Sequence, residues 1–218
     1  MTYQQIRQDP AVRVYIEKAD DALKALGYTE HSFAHVSKVA ETAGMLLENL
    51  GYPQRTVELA KIAGYLHDIG NLVNRVDHSQ SGAVMAFRLL DKLGMSADEI
   101  STVVTAIGNH DEGTGVPVSP VAAALIIADK CDVRRTRVRN SDFSTFDIHD
   151  RVNYSVVRST VQISEDKRTI ILELEVDTSI SAVIDYFSIF IGRMQMSRRA
   201  AEALGLTFSL VINGQTLL

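Results

Sequence analysis

The chain carries a single cysteine, Cys131, and no tryptophan. A lone thiol excludes an intrachain disulfide framework and fits a reducing compartment. No apolar run reaches the roughly 20 residues needed to cross a bilayer, and no charged segment followed by an apolar stretch opens the chain. The expectation is therefore a soluble, cytoplasmic protein. Positive charge is also scarce: 22 Lys and Arg stand against 27 Asp and Glu, for a net charge of -5. That balance argues against broad nucleic-acid binding and leaves room for a local basic patch that holds a phosphate. Internal repeats and low-complexity tracts are missing too. What remains is ordinary globular composition, 46% hydrophobic over 218 residues, enough for one core with a small appended subdomain.

The first 140 residues are helical in period. Val12, Ile16, Ala19, Leu23 and Leu26 recur at three- and four-residue steps and stop at Gly27, as a helix end should. A second helix carries Phe33 to Leu47, and a third follows Pro53 and runs through Val57, Ala60, Ala63 and Leu66 into His67-Asp68. A fourth begins near His78, a fifth at the capping-box spacing Ser96 to Glu99, and a sixth at Ser119-Pro120. After Asn140 the pattern changes. Ser141 to Asp150 is polar and reads as irregular, with a short helix expected over Val152 to Val157. Ile170, Leu172, Leu174 and Val176 then alternate with more polar neighbours, which predicts one arm of a hairpin with a buried face. A long helix over about 179–204 and a last strand at Phe208 to Ile212 complete the expectation. The predicted fold is mainly α: a helical bundle over 1–140, then a small α+β subdomain over 141–218 with three strands and one long helix. Its exposed strand edges are suited either to pairing across a homodimer or to being covered within the chain.

Four of the six histidines, with two aspartates, fall at the ends of consecutive helices: His35, His67-Asp68, His78, His110 and Asp129. A single histidine beside a helix is more often a hydrogen-bonded or surface residue. An ordered set at helix ends is what packing can bring together into a metal cluster.

The series His35, His67-Asp68, Asp129, in the phrases His31-Ser-Phe-Ala-His35, Leu66-His-Asp-Ile-Gly70 and Ile127-Ala-Asp-Lys130, resembles the HD superfamily of metal-dependent phosphohydrolases. The segments around His78 and His110 are similar to the extra histidine segments of HD branches with two metals, including YqeK-type dinucleoside tetraphosphate hydrolases. The resemblance implies one ion held by His35, His67, Asp68 and Asp129, and a second held by His78, His110 and a bridging Asp68. The donor set suits iron, manganese or zinc. It further implies hydrolysis of a nucleotide or related phosphate ester by a metal-bridged hydroxide, centred on His67 and Asp68. For the phosphate, candidate contacts are Lys130, Arg134, Arg135, His31 and Asn71, in a basic run that also includes Arg137 and Arg139.

Two departures matter. Asn71 stands where many members have lysine, and Glu112-Gly-Thr-Gly-Val-Pro117 is similar to the HD-GYP loop with Val116 replacing its tyrosine. Two alternatives stand beside the phosphohydrolase: a di-iron oxygenase, as some HD relatives imply, and a metal-containing ligand sensor without turnover, to which Asn71 and the altered loop point. His149, beside Asp147 and Asp150, reads as a surface residue.

Overall fold

The computed structural model describes residues 1–217. The helical part is built from α1 (Tyr3–Gln8), α2 (Pro10–Ala25), α3 (Phe33–Asn49), α4 (Gln54–Leu66), α5 (His78–Lys92), α6 (Ala97–Gly108) and α7 (Pro120–Lys130). Their starts follow from local chemistry. Asp9 accepts from the Ala11 and Val12 amides ahead of Pro10, and Ser119 accepts from Ala122 N ahead of Pro120. Each pair satisfies orphan amides with a side-chain oxygen and places proline where its missing N–H costs nothing. No described helix is long and apolar enough to cross a membrane.

α7 sets the architecture. Val121 to Ala128 are all buried, the signature of a helix covered on every side. Its Val121, Ala122, Ala124, Leu125 and Ala128 belong to the core shared with α1 to α6. Ala123, Ile126 and Ile127 belong to a second core with the sheet and the last helix.

The C-terminal part contains α8 (Ile148–Ser155), β1 (Val156–Ile163), β2 (Thr169–Val176), α9 (Val183–Ala203), β3 (Thr207–Ile212) and β4 (Gln215–Thr216). The sheet order is β1-β2-β3-β4, with β2 antiparallel to β1 and parallel to β3 across the α9 crossover. Ile170, Leu172, Leu174 and Val176 are buried as their alternation requires.

The architecture is mainly α with a small α+β part, and it departs from the sequence expectation in detail. The described sheet has four strands rather than three, because Asn213 and Gly214 adopt φ of 51 and 79° and turn the chain back into β4. Both central residues at positive φ are what a tight hairpin of this kind needs, and Asn-Gly is its usual sequence. The short helix ends at Ser155 and Val156 already pairs in β1. α1, six residues closed by a capping box between Thr2 and Gln5, has too few turns for periodicity to reveal.

Candidate metal centre

Five elements deliver six side chains to one place. His35 lies in the first turn of α3, His67 and Asp68 close α4, His78 opens α5, His110 follows the end of α6, and Asp129 is the penultimate residue of α7. Two glycines allow the approach. A Cβ on Gly64 would sit 2.7 Å from Ala40 Cα, so α3 and α4 cross in near contact. A Cβ on Gly70 would fall 1.9 Å from the His78 carbonyl oxygen, so α5 begins directly against the His67-Asp68 turn.

The histidines share one orientation. Nδ1 of His67, His78 and His110 meets the carbonyl oxygens of Gly64, Arg75 and Ile107 at 2.8, 3.1 and 2.6 Å, and Nδ1 of His35 meets Asp132 Oδ2 at 2.7 Å. An Nδ1–H donated outward leaves the Nε2 lone pair for the interior, the arrangement by which imidazoles are oriented as metal ligands. Nε2 of His35 lies 3.5 Å from Asp68 Oδ2 and 3.4 Å from Asp129 Oδ1. Nε2 of His67 lies 3.2 and 3.6 Å from the same two atoms. On the other side, His78 Nε2 is 3.6 Å from Asp68 Oδ1 and 3.2 Å from His110 Nε2. The two oxygens of Asp68 therefore face different histidines.

His35 Nε2, His67 Nε2 and Asp68 Oδ2 are buried with no hydrogen-bond partner. Such atoms are rare and costly unless something cationic satisfies them. Two triads, His35/His67/Asp129 and His67/Asp68/His110, each gather one ligand atom per residue within 4.8 Å. The donor set fits a divalent cation.

Electrostatics agree with a site short of positive charge. Burial disfavours a charged His67, yet the carboxylates of Asp68 and Asp129 overrule it and push the ring up to about 10. Burial also raises a carboxyl, but His67 and His31 hold Asp68 well below the usual range, and Lys130 does the same for Asp129. His110 is driven the other way, down to about 3, by burial and then by His67 and Lys130.

The candidate phosphate contacts are placed differently from one another. Lys130 is buried, with Nζ 2.8 Å from Asp129 and 3.2 Å from Glu112. Arg134 turns to Asp132, its Nε donating at 2.8 Å. Arg135 stacks over Tyr154 of α8 and donates to that residue's carbonyl at 2.7 Å, away from the cluster. These three cations are each matched within the protein by a carboxylate or a carbonyl. His31 packs edge-on against His35 with centroids 5.4 Å apart. Asn71 donates to Asp68 Oδ1 at 2.9 Å and accepts from Arg75 at 3.3 Å, so it positions that carboxylate.

Sequence reading missed Asp132, which steadies His35 and is itself held by Lys38 at 3.1 Å and by Arg134. The Asp129-to-Asp132 spacing, three residues across a helix end, was the available signal. It also missed Glu112, which joins Lys130 to Arg193 of α9 at 3.0 Å; nothing in the sequence points from that loop to α9.

Residues 32–134 match the HD domain family, a span that contains all six side chains and Asp132. The chain is 34% identical over 122 residues to ribonuclease Y of Fervidobacterium nodosum, covering 55% of this chain and 21% of that one. It spans only about a fifth of that relative's length. It is 26% identical over 191 residues to an uncharacterized protein of Methanocaldococcus jannaschii, covering 77% and 73% of the two chains. A crystal structure of a predicted HD superfamily hydrolase from an uncultured Thermotogales bacterium aligns with a TM-score of 0.43 at 25% identity, over 60% of this chain and 73% of that one. With the family's ordered residues gathered in one buried cluster, residues 32–134 form an HD domain.

Proposed function

We propose that the protein is a metal-dependent phosphohydrolase that cleaves a nucleotide or a related phosphate ester at the six-residue cluster. The observation that carries this reading is the convergence of unpartnered, buried imidazole nitrogens and a carboxylate oxygen. His35, His67, Asp68 and Asp129 would hold one ion, and His78, His110 and the second oxygen of Asp68 another. The mixed nitrogen and oxygen set suits iron, manganese or zinc. When bound, such ions polarise a phosphoryl oxygen and make water nucleophilic at neutral pH.

The chain's own residues supply the rest. Asn71 fixes the plane of Asp68 through its amide. Lys130, clamped by Glu112, holds Asp129 ionised and in place. His110 stays neutral at physiological pH, so its Nε2 offers a lone pair rather than a proton. Low solvent access at the cluster strengthens every charge interaction made there.

The acidic net charge favours a small substrate over a long polyanion, while the ribonuclease among the relatives adds a short RNA to the candidates. The test is product formation from a panel of nucleotides, phosphomonoesters and a short RNA, alongside elemental analysis of the purified protein. Expected is turnover lost on chelation, restored by one of the three metals, and abolished in Asp68→Ala. A folded, fully metallated protein inactive on the whole panel overturns the reading.

A further inference from the structure

A cavity of about 370 Å3 lies beside the cluster. Two of its wall residues touch proposed ligands directly: His31 packs on His35, and Arg75 Nη1 lies 3.5 Å from His78 Nε2. Its other cations are Arg137, from the segment after α7, and Arg193, from α9. The HD domain match ends at residue 134, so both lie outside it.

These guanidinium groups are held in place rather than free. Arg137 is buried and donates through Nε and Nη1 to the carbonyls of Glu30 and Asp132 at 2.9 and 2.8 Å. Arg193 lies over the Phe190 ring at 4.6 Å, with its Nε on Glu112. Arg75 lies over the Tyr28 ring at 5.7 Å, and no carboxylate among the described residues comes within salt-bridge distance of it. The cavity's two carboxylates are occupied locally: Asp147 accepts from the Asp150 amide at the start of α8, and Asp150 accepts from Asn140.

We infer that Arg75, Arg137 and Arg193 form a subsite for a second phosphate, so that the substrate is a compound carrying a diphosphate or longer chain. This rests on the phosphohydrolase reading above. The reacting phosphate belongs at the cluster, and the cavity next to it faces whatever that phosphate is joined to. Planar guanidiniums held flat on rings and carbonyls match phosphate oxygens without losing side-chain freedom on binding. Three of them, one without an internal anion, fit a second phosphate group better than an uncharged sugar. The C-terminal part thereby acquires a role: α9 supplies Arg193 to a site whose other groups come from the helical part.

Two probes that cannot be hydrolysed test this, methylenediphosphonate with two phosphoryl groups and methylphosphonate with one. Each is titrated calorimetrically into the full-length protein as purified, with metal content measured for every sample. Expected is a preference of about tenfold or more for methylenediphosphonate, the worth of one charge-assisted hydrogen bond. Arg75→Gln and Arg193→Gln should erase that preference by weakening methylenediphosphonate binding more than methylphosphonate binding. Arg75 is only half-buried, so its variant decides the matter if Arg193→Gln fails to fold. Equal affinity for the two probes, or a preference intact in Arg75→Gln, overturns the subsite. An enzyme active on phosphomonoesters without the preference leaves the phosphohydrolase reading standing. A preference lost in Arg75→Gln, in a metallated protein without turnover, upholds the subsite and removes that reading.

Discussion

Asp132 bonds to His35 Nδ1 at 2.7 Å and is itself fully covered. A carboxylate behind a ligating imidazole fixes the ring's tautomer and raises its basicity, and its loss commonly costs about 10–100-fold in metal affinity. Asp132→Asn keeps the shape and removes the charge, so it should weaken metal binding by roughly that factor while the fold stays intact. Titration against a competing chelator measures it, and wild-type affinity would sink the assignment. The contrast between Asp132 and the proposed ligands explains what a sequence discloses at this scale. With only six histidines in the chain, an ordered His, His-Asp, Asp series is chemically conspicuous. Asp132 is one acidic residue among 27, and only the fold places it behind His35. Arg75 and Arg193 were hidden for the same reason, since neither adjoins the motif and both reach the cavity through packing.

Between elements, the cluster depends on how closely α3 and α4 approach. At their crossing Gly64 faces the Ala40 backbone, and a Cβ there would lie 2.7 and 2.9 Å from Ala40 Cα and N. Backbone atoms cannot swing aside as a flexible side chain would, so Gly64→Ala must push the helices apart. The expected cost is about 1–3 kcal/mol, the usual price of overpacking a core, read from the midpoint of urea unfolding. Because His35 and His67 ride on these two helices, metal affinity should fall as well. A variant as stable as the parent would show that the crossing has slack. Helices of three turns or more were legible from apolar spacing and caps, because the same periodicity that marks them also buries them. Elements set by a few residues were not. α1 has six residues, β4 has two, and the α8-to-β1 boundary at Ser155–Val156 has no glycine or proline to mark it. Asn213-Gly214 is the one sequence signal for β4.

Across the whole molecule, the change of pattern after residue 140 is a change of secondary structure, while the hydrophobic packing runs through it. α7 gives one face to the helical core and another to the core under the sheet, and Leu46 of α3 joins Ala123, Ile126 and Ile127 in the second. Tyr186, Phe190, Met194 and Met196 of α9 pack in that same core, and Glu112 ties Arg193 back to Lys130. Removing either part would expose a continuous apolar surface on α7 that contains no charged side chain to solvate it. The two parts should therefore unfold together. Hydrogen exchange followed by mass spectrometry in increasing urea gives separate readouts, with peptides from α3 reporting the helical part and peptides from β2 the sheet. The expected outcome is one shared midpoint, and a fragment of residues 1–140 that does not reach the folded state. Loss of β2 protection at a distinctly lower urea concentration than α3 would contradict it. In that case α9 could leave while the HD domain stayed folded, and Arg193 would be a removable part of the site rather than a fixed wall.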